Sequence, residues 1–163
     1  NYGVDRDSPC FLKILPGDDA NCGGPNVDDQ ALLQVIDDYV GVSSSNGHVE
    51  SIWNLYYRTI ALSNVVIENL KDSNVSNKES AVAQAKFFRA WCYFELTTMF
   101  GDVPLRTTLP SSAEDFAIAK SPQSAIYTQI ETDLTDAISG LPNKSAVVSL
   151  IIRASPAKPS PVK

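Results

Sequence analysis

Histidine and methionine occur once each in this chain of 163 residues, tryptophan twice and cysteine three times. With His48 alone and no Cys-x-x-Cys spacing, the usual ligand sets for zinc are missing, and neither a metal nor a cofactor is expected. No stretch clusters lysine and arginine, and the formal net charge is -6, which argues against a nucleic-acid partner. No apolar run reaches the ~20 residues that span a bilayer. The opening NYGVDRDSPCF has no basic start followed by an apolar stretch, so it does not read as a secretory leader. Composition leaves open a cytosolic protein or a mature or trimmed part of an exported one. Catalytic constellations are absent as well. His48 lies among serines in SSSNGH, but no third group and no oxyanion site can be read, and Glu131 and Asp133 share a helix without a partner arrangement. The chain is expected not to be an enzyme.

What is present is core material: 44% hydrophobic and 20% charged residues, enough to fold as one ordinary domain. Apolar periodicity predicts four helices. The first starts near Asn26, with Asp28 and Asp29 in its first turn; Leu32, Val35, Ile36 and Tyr39 fall at helical spacing, and Gly41 ends it. The second runs from about Val49 to Leu70. Mid-way through it, Asn64 either faces water or bonds a neighbouring element. The third runs from Ser76 or Asn77 to Phe100, stopped by Gly101 and Pro104. In the fourth, Ser121 caps, Pro122 takes the first helical position, and Gly140 and Pro142 terminate. No strand pair is convincing. The expected class is all-α, with tetratricopeptide-like helix-turn-helix pairs and long loops. Residues 1–26 read as a loop region, 27–142 as the helical domain, and 143–163 as a short apolar piece, AVVSLII, followed by a disordered Pro-rich tail.

The stretch AKFFRAWCYFELTTMFGDVPL crowds Phe87, Phe88, Trp91, Tyr93, Phe94 and Phe100 into a few helical turns. Phe87, Ala90, Trp91 and Phe94 fall on one face, and rings at helical spacing usually form core, so Trp91 and Phe94 are expected to be structural. Arg89 is expected to be a structural anchor, paired with an acid such as Glu68 or Asp133 or bonded to a helix C-terminus. Cys92 reads as a small buried hydrophobe. Cys10 and Cys22 either pair, for roughly 3 kcal/mol in the chain-entropy model, or remain thiols.

Three segments, in order, resemble motifs of the SusD/RagB family. They are SIWNLYYRTIALSNVVIENL at Trp53, Tyr57, Ile60, Asn64 and Ile67, then FFRAWCYFEL with MFGDVPL, and SAIYTQIETDLTDAISGLP at Tyr127, Ile130, Asp133, Leu134, Ala137, Leu141 and Pro142. The resemblance covers roughly residues 49–142, an N-terminal part of a family whose members run to several hundred residues. It implies tetratricopeptide-like units in an outer-membrane lipoprotein on the extracellular face, capturing glycans or other nutrients with a TonB-dependent, SusC-like transporter. Contact with the membrane would come only through a lipid anchor, for which neither Cys10 nor Cys22 has the small-residue context. After Arg153-Ala154-Ser155 the tail departs from the family's Ala-rich helix, as a truncated or frame-shifted chain would.

In starch-binding members the segment before the W-x-x-x-Y helix supplies sugar contacts. Carried to this sequence, the resemblance points to Asp18, Asp19, Asn21, Asp28 and Asp29 as ligand-binding, with Trp53 either a stacking platform or core. The same oxygens could bind Ca²⁺, although the spacing does not match D-x-[DN]-x-[DN]-G, or could simply form turns. Because the family's C-terminal contacts are lacking, glycan binding by this chain is expected to be weaker than about 1 mM. The alternative reading is a tetratricopeptide-like protein-interaction module without small-molecule binding.

Overall fold

The computed structural model describes residues 9–17, 20–26, 28–112, 115 and 117–142. Helices α1 (Pro9–Ile14), α2 (Ala31–Asp37), α3 (Gly47–Leu70) and α4 (Lys78–Phe100) are followed by α5 (Gln123–Gly140). The fold is all-α, and consecutive helices pair in the tetratricopeptide-like manner. A minimal antiparallel pairing of β1 (Val103–Pro104) with β2 (Lys120–Ser121) ties the two ends of the α4–α5 connection together.

The elements differ from the sequence reading where local chemistry is subtle. Residues 9–14 form a helix inside what reads as a loop. The helix expected from Asn26 starts at Ala31 instead, because Gln30 takes a left-handed backbone (φ 59°). Asp28 and Asp29 therefore sit in the preceding turn, outside the helix. Asn46 is the cap of α3: its side chain accepts from the backbone N–H of His48 and Val49 and donates to the Leu32 carbonyl, tying α3 to α2. Pro122 stands just outside α5, whose first helical residue is Gln123, and Ser121 belongs to β2.

Helix α4 lies between α3 and α5, antiparallel to both. Its contacts run from Glu95 to Tyr56 and from Arg89 to Asn64 on one side, and from Arg89 to Asp133 on the other. Ile52, Tyr56, Ile60, Ala90, Tyr93, Leu96, Val103, Ile126 and Ile130 form the core between them. Small residues let α4 and α5 approach closely: a Cβ on Gly140 would lie 2.7 Å from that of Ala83. Gly101, at φ 74°, ends α4. A smaller cluster of Leu15, Leu33 and Ile36 joins α1 and α2.

The core role expected for Trp91 and Phe94 needs correction. Trp91 is 52% exposed and Phe94 42%, and Phe87 and Phe88 are exposed beside them. Of the six rings only Tyr93 is fully buried. The spacing correctly puts Phe87, Trp91 and Phe94 on one face, but spacing does not say what covers a face. Helices α3 and α5 pack most closely on α4, and they cover the arc holding Arg89, Ala90, Cys92, Tyr93, Leu96 and Thr97.

Candidate functional site

Three helices converge on the loop that follows α4. Arg89, buried among α3, α4 and α5, donates through Nε and Nη2 to the two carboxylate oxygens of Asp133, at 2.8 and 2.7 Å. Its Nη1 donates to Asn64 Oδ1 (2.7 Å) and to the Thr107 carbonyl (3.0 Å). Asn64 Nδ2 in turn donates to the carbonyls of Arg106 and Thr108. The Tyr93 hydroxyl donates to the Arg106 carbonyl and accepts from the Arg106 N–H, and Tyr57 donates to the Pro104 carbonyl at 2.7 Å. Of the two acids considered for Arg89, its partner is Asp133. Each polar group buried here meets a partner, so the network fixes one path for residues 104–108. Farther along, the Asp115 carboxylate accepts from the backbone N–H groups of Ser111 and Ser112 and from the Ser111 hydroxyl, which hold it below the usual carboxylate range.

Burial also sets the titration of this core. It pushes the Tyr93 phenol up to about 12 against the opposing pull of the Arg106 backbone and the Arg89 charge. Burial, with the Glu95 carboxylate adding to it, raises the Cys92 thiol to about 11. Tyr56 and Tyr57 are raised too, chiefly by burial. Thiol and phenol are neutral when protonated, so a raised folded pKa contributes stability below the unfolded value that is lost as pH rises through the folded one. Urea midpoints should therefore hold steady up to about pH 9, the ordinary thiol value, and fall steeply towards about pH 12. A midpoint constant to pH 12 would contradict the burial of Tyr93.

A broad concavity, about 1250 Å³, lies on the α1–α2 side of the molecule. Leu12 and Lys13 of α1, Tyr39 and the turn of residues 42–45, Glu50, Trp53 and Asn54 of α3, and Phe94 and Thr98 of α4 surround it. Lys13 reaches from α1 to the buried Glu95 of α4, which also accepts from the Tyr56 hydroxyl, so the α1 wall is clipped to the core. Tyr39 stands at the rim, 71% exposed and in a left-handed backbone (φ 55°) that disfavours a bulky side chain. Trp53 is half-buried and braced, its ring tilted against Tyr57 (4.8 Å) and edge-on to Phe100 (5.1 Å). A held indole presents its ring at little ordering cost. Around it stand the hydroxyls of Ser43, Ser44, Ser45 and Thr98, the Asn54 amide and the Glu50 carboxylate. Apolar floor and polar edge together suit a ligand with apolar faces and many hydroxyls.

Among the described residues, Trp53 is the one ligand-binding candidate named from the sequence that lines this groove. Asp18 and Asp19 lie outside the described residues. Asn21 is exposed and lines neither this groove nor the smaller one beside it. Asp28 N–H donates to Asn26 Oδ1, and the Asp29 carbonyl accepts from Gln34, so both acids build the turn before α2. Cys22 is a thiol whose backbone N–H donates to Asp37; the side chain of Cys10 lies outside the described residues. Sequence reasoning misses Tyr39, which reads as a helical core position, and Ser43, Ser44 and Ser45, which read as a connector. The legible signal is a serine run a few residues before Trp53-Asn54.

Comparison with known proteins gives a consistent relationship. Residues 26–157 match the SusD-like family model described as starch-binding associating with outer membrane. A SusD-like protein of Formosa agariphila is 37% identical over 105 residues, 63% of this chain and 21% of that protein. Among solved structures, a laminarin-binding SusD-like protein superposes with a TM-score of 0.74 at 31% identity, over 85% of this chain and 30% of that one. A SusD-like carbohydrate-binding protein from Bacteroides fragilis superposes with 0.65 at 26% identity, over 77% and 23%. The chain thus spans between about a fifth and a third of the length of these relatives.

Proposed function

The chain belongs to the SusD-like family, and on that footing we propose that the groove around Trp53 binds glycan, as part of a non-enzymatic cell-surface protein that serves a TonB-dependent outer-membrane transporter. The observation that carries the reading is Trp53 itself, a braced and partly open indole in the floor of a hydroxyl-rimmed groove. Sugar rings have apolar C–H faces that stack on such a surface, and hydroxyl edges that reach serine, amide and carboxylate groups. Among the relatives, one is named for laminarin and one for carbohydrate, which supports a glycan over other nutrients. The transporter, the lipid anchor and the extracellular location belong to the same proposal and rest on the family. Among the described residues no helix is long and apolar enough to cross a membrane.

A second reading, a module that docks another protein, is favoured by one observation: the exposed rings of Phe87, Phe88, Trp91 and Phe94 on α4. The two tryptophans, Trp53 and Trp91, separate the readings by fluorescence. In a Trp91→Phe variant, laminari-oligosaccharides should still shift the emission. In Trp53→Phe the response should vanish and affinity fall by about tenfold or more, the loss of one aromatic contact worth ~1.4 kcal/mol. A response that follows Trp91 would move the sugar to the α4 face, and no response from either tryptophan would favour the protein-docking reading.

A further inference from the structure

Asn46 is the one asparagine of this chain that glycine follows. At such a pair the backbone most readily attacks the asparagine side chain, because Gly47 has no Cβ to keep its nitrogen away. Asn46 is also the residue that caps α3 and ties it to α2. We propose that Asn46 is a self-modification site, gated by the contact of α2 with α3, and that its conversion to an acid leaves one wall of the groove untied. The proposal does not depend on what the groove binds.

The step needs only water. The Gly47 nitrogen bonds to Asn46 Cγ and the bond from Cγ to Nδ2 breaks. Nδ2 leaves as ammonia with the proton that the Gly47 nitrogen gives up, and a five-membered succinimide remains. Water then opens the ring at either carbonyl, to aspartate or to isoaspartate, and no electron is gained or lost. The fold holds this step back in two ways. Ring closure needs the Asn46 Cβ and the Gly47 nitrogen nearly eclipsed about the Cα–C bond, and at ψ 118° they stand far from it. The amide is pinned as well: Oδ1 accepts from the N–H groups of His48 and Val49, and Nδ2 donates to the Leu32 carbonyl at 2.9 Å. The reaction therefore runs when the first turn of α3 opens and α2 comes off it.

The product does not restore the tie. An aspartate still caps α3, since a carboxylate accepts the same N–H bonds and suits the positive end of the helix. The donor is what is lost. The atom facing the Leu32 carbonyl becomes a second acceptor, on a residue only 4% exposed. Isoaspartate also lengthens the main chain by one carbon at the cap. Either product loosens the turn that edges the groove, because Asn46 follows Ser43, Ser44 and Ser45 directly and its N–H donates to the Ser43 carbonyl.

The test ages the full chain in warm, mildly alkaline buffer, folded and in urea, and maps the products by tandem mass spectrometry. In urea, residue 46 should convert ahead of the other asparagines. In the folded chain it should convert about tenfold or more slowly, since the bonds of its amide must break first. Gly47→Ala should suppress conversion in urea by about tenfold or more. It should also leave the chain folded, because the added Cβ would meet its nearest neighbour, on Leu32, at an ordinary 3.8 Å. In Asn46→Asp, hydrogen exchange should quicken about tenfold or more at the α2 amides of Val35 and Ile36 and stay unchanged in the middle of α3. Equal conversion rates in the folded and unfolded chain would overturn the gate, and unchanged exchange in α2 would overturn the untying. Should Asn46→Asp not fold, the aged native chain carries the same exchange measurement, its converted fraction separated on an anion exchanger by the added charge.

Discussion

Replacing Arg89 by leucine should destabilise the protein by about 3–5 kcal/mol, because the carboxylate of Asp133 would be left buried with its cationic partner gone. Asp133 is 1% exposed and Arg89 5%, so water cannot take the place of the lost guanidinium. The same change strips donors from Asn64 Oδ1 and from the Thr107 carbonyl, loosening the loop as well as the helix pair. Against a typical total stability of ~5–15 kcal/mol, that is a large fraction of what keeps the chain folded. Urea denaturation followed by circular dichroism measures the loss. Removing both charges together, as Arg89→Met with Asp133→Leu, should recover a large part of it, since no buried charge then stands alone. If the single variant unfolds at the parent midpoint, the network is not holding α4 to α5.

The second large effect separates two aromatic neighbours. Tyr93→Ala should cost about 3–5 kcal/mol, as expected for emptying a large core site. Tyr93 is 0% exposed, and its hydroxyl bonds both backbone groups of Arg106. Tyr93→Phe keeps the ring and should cost only the hydrogen bonds, about 1–2 kcal/mol. Trp91→Ala, two residues earlier on a half-open face, should stay within about 1 kcal/mol. Melting temperatures of the three variants give the order directly. A Trp91→Ala loss equal to that of Tyr93→Ala would mean that Trp91 is covered.

That contrast shows what could be read from the sequence. Helices α3, α4 and α5 were legible because Ile52, Tyr56 and Ile60, and likewise Ile126, Ile130 and Ala137, recur at helical spacing against turns that must stop them. The charged partner of Arg89 came down to a choice between two acids, which only the antiparallel register of α4 and α5 decides. The exposure of Trp91 was not legible, since periodicity gives a shared face and says nothing of how many neighbours surround the helix. The groove was hidden for a related reason. Tyr39 looks like a core position until its backbone turns left-handed, and Ser43, Ser44 and Ser45 look like a spacer until α2 folds them beside Trp53. The turn at residues 28 and 29 was hidden too, because it is held through the Asp28 N–H and the Asp29 carbonyl, backbone groups that every residue carries.

The central claim is that a glycan sits in the groove around Trp53, and the most direct measurement is a shift map of the ¹⁵N-labelled chain titrated with a long laminari-oligosaccharide. Millimolar binding, about 4 kcal/mol, is enough to be seen. The account predicts saturable shifts of the Trp53 indole N–H and of the Tyr39, Ser43, Ser44, Ser45 and Asn54 amides, with Phe87, Phe88 and Trp91 unmoved. Shifts confined to the α4 rings, or none at saturating sugar, would contradict it.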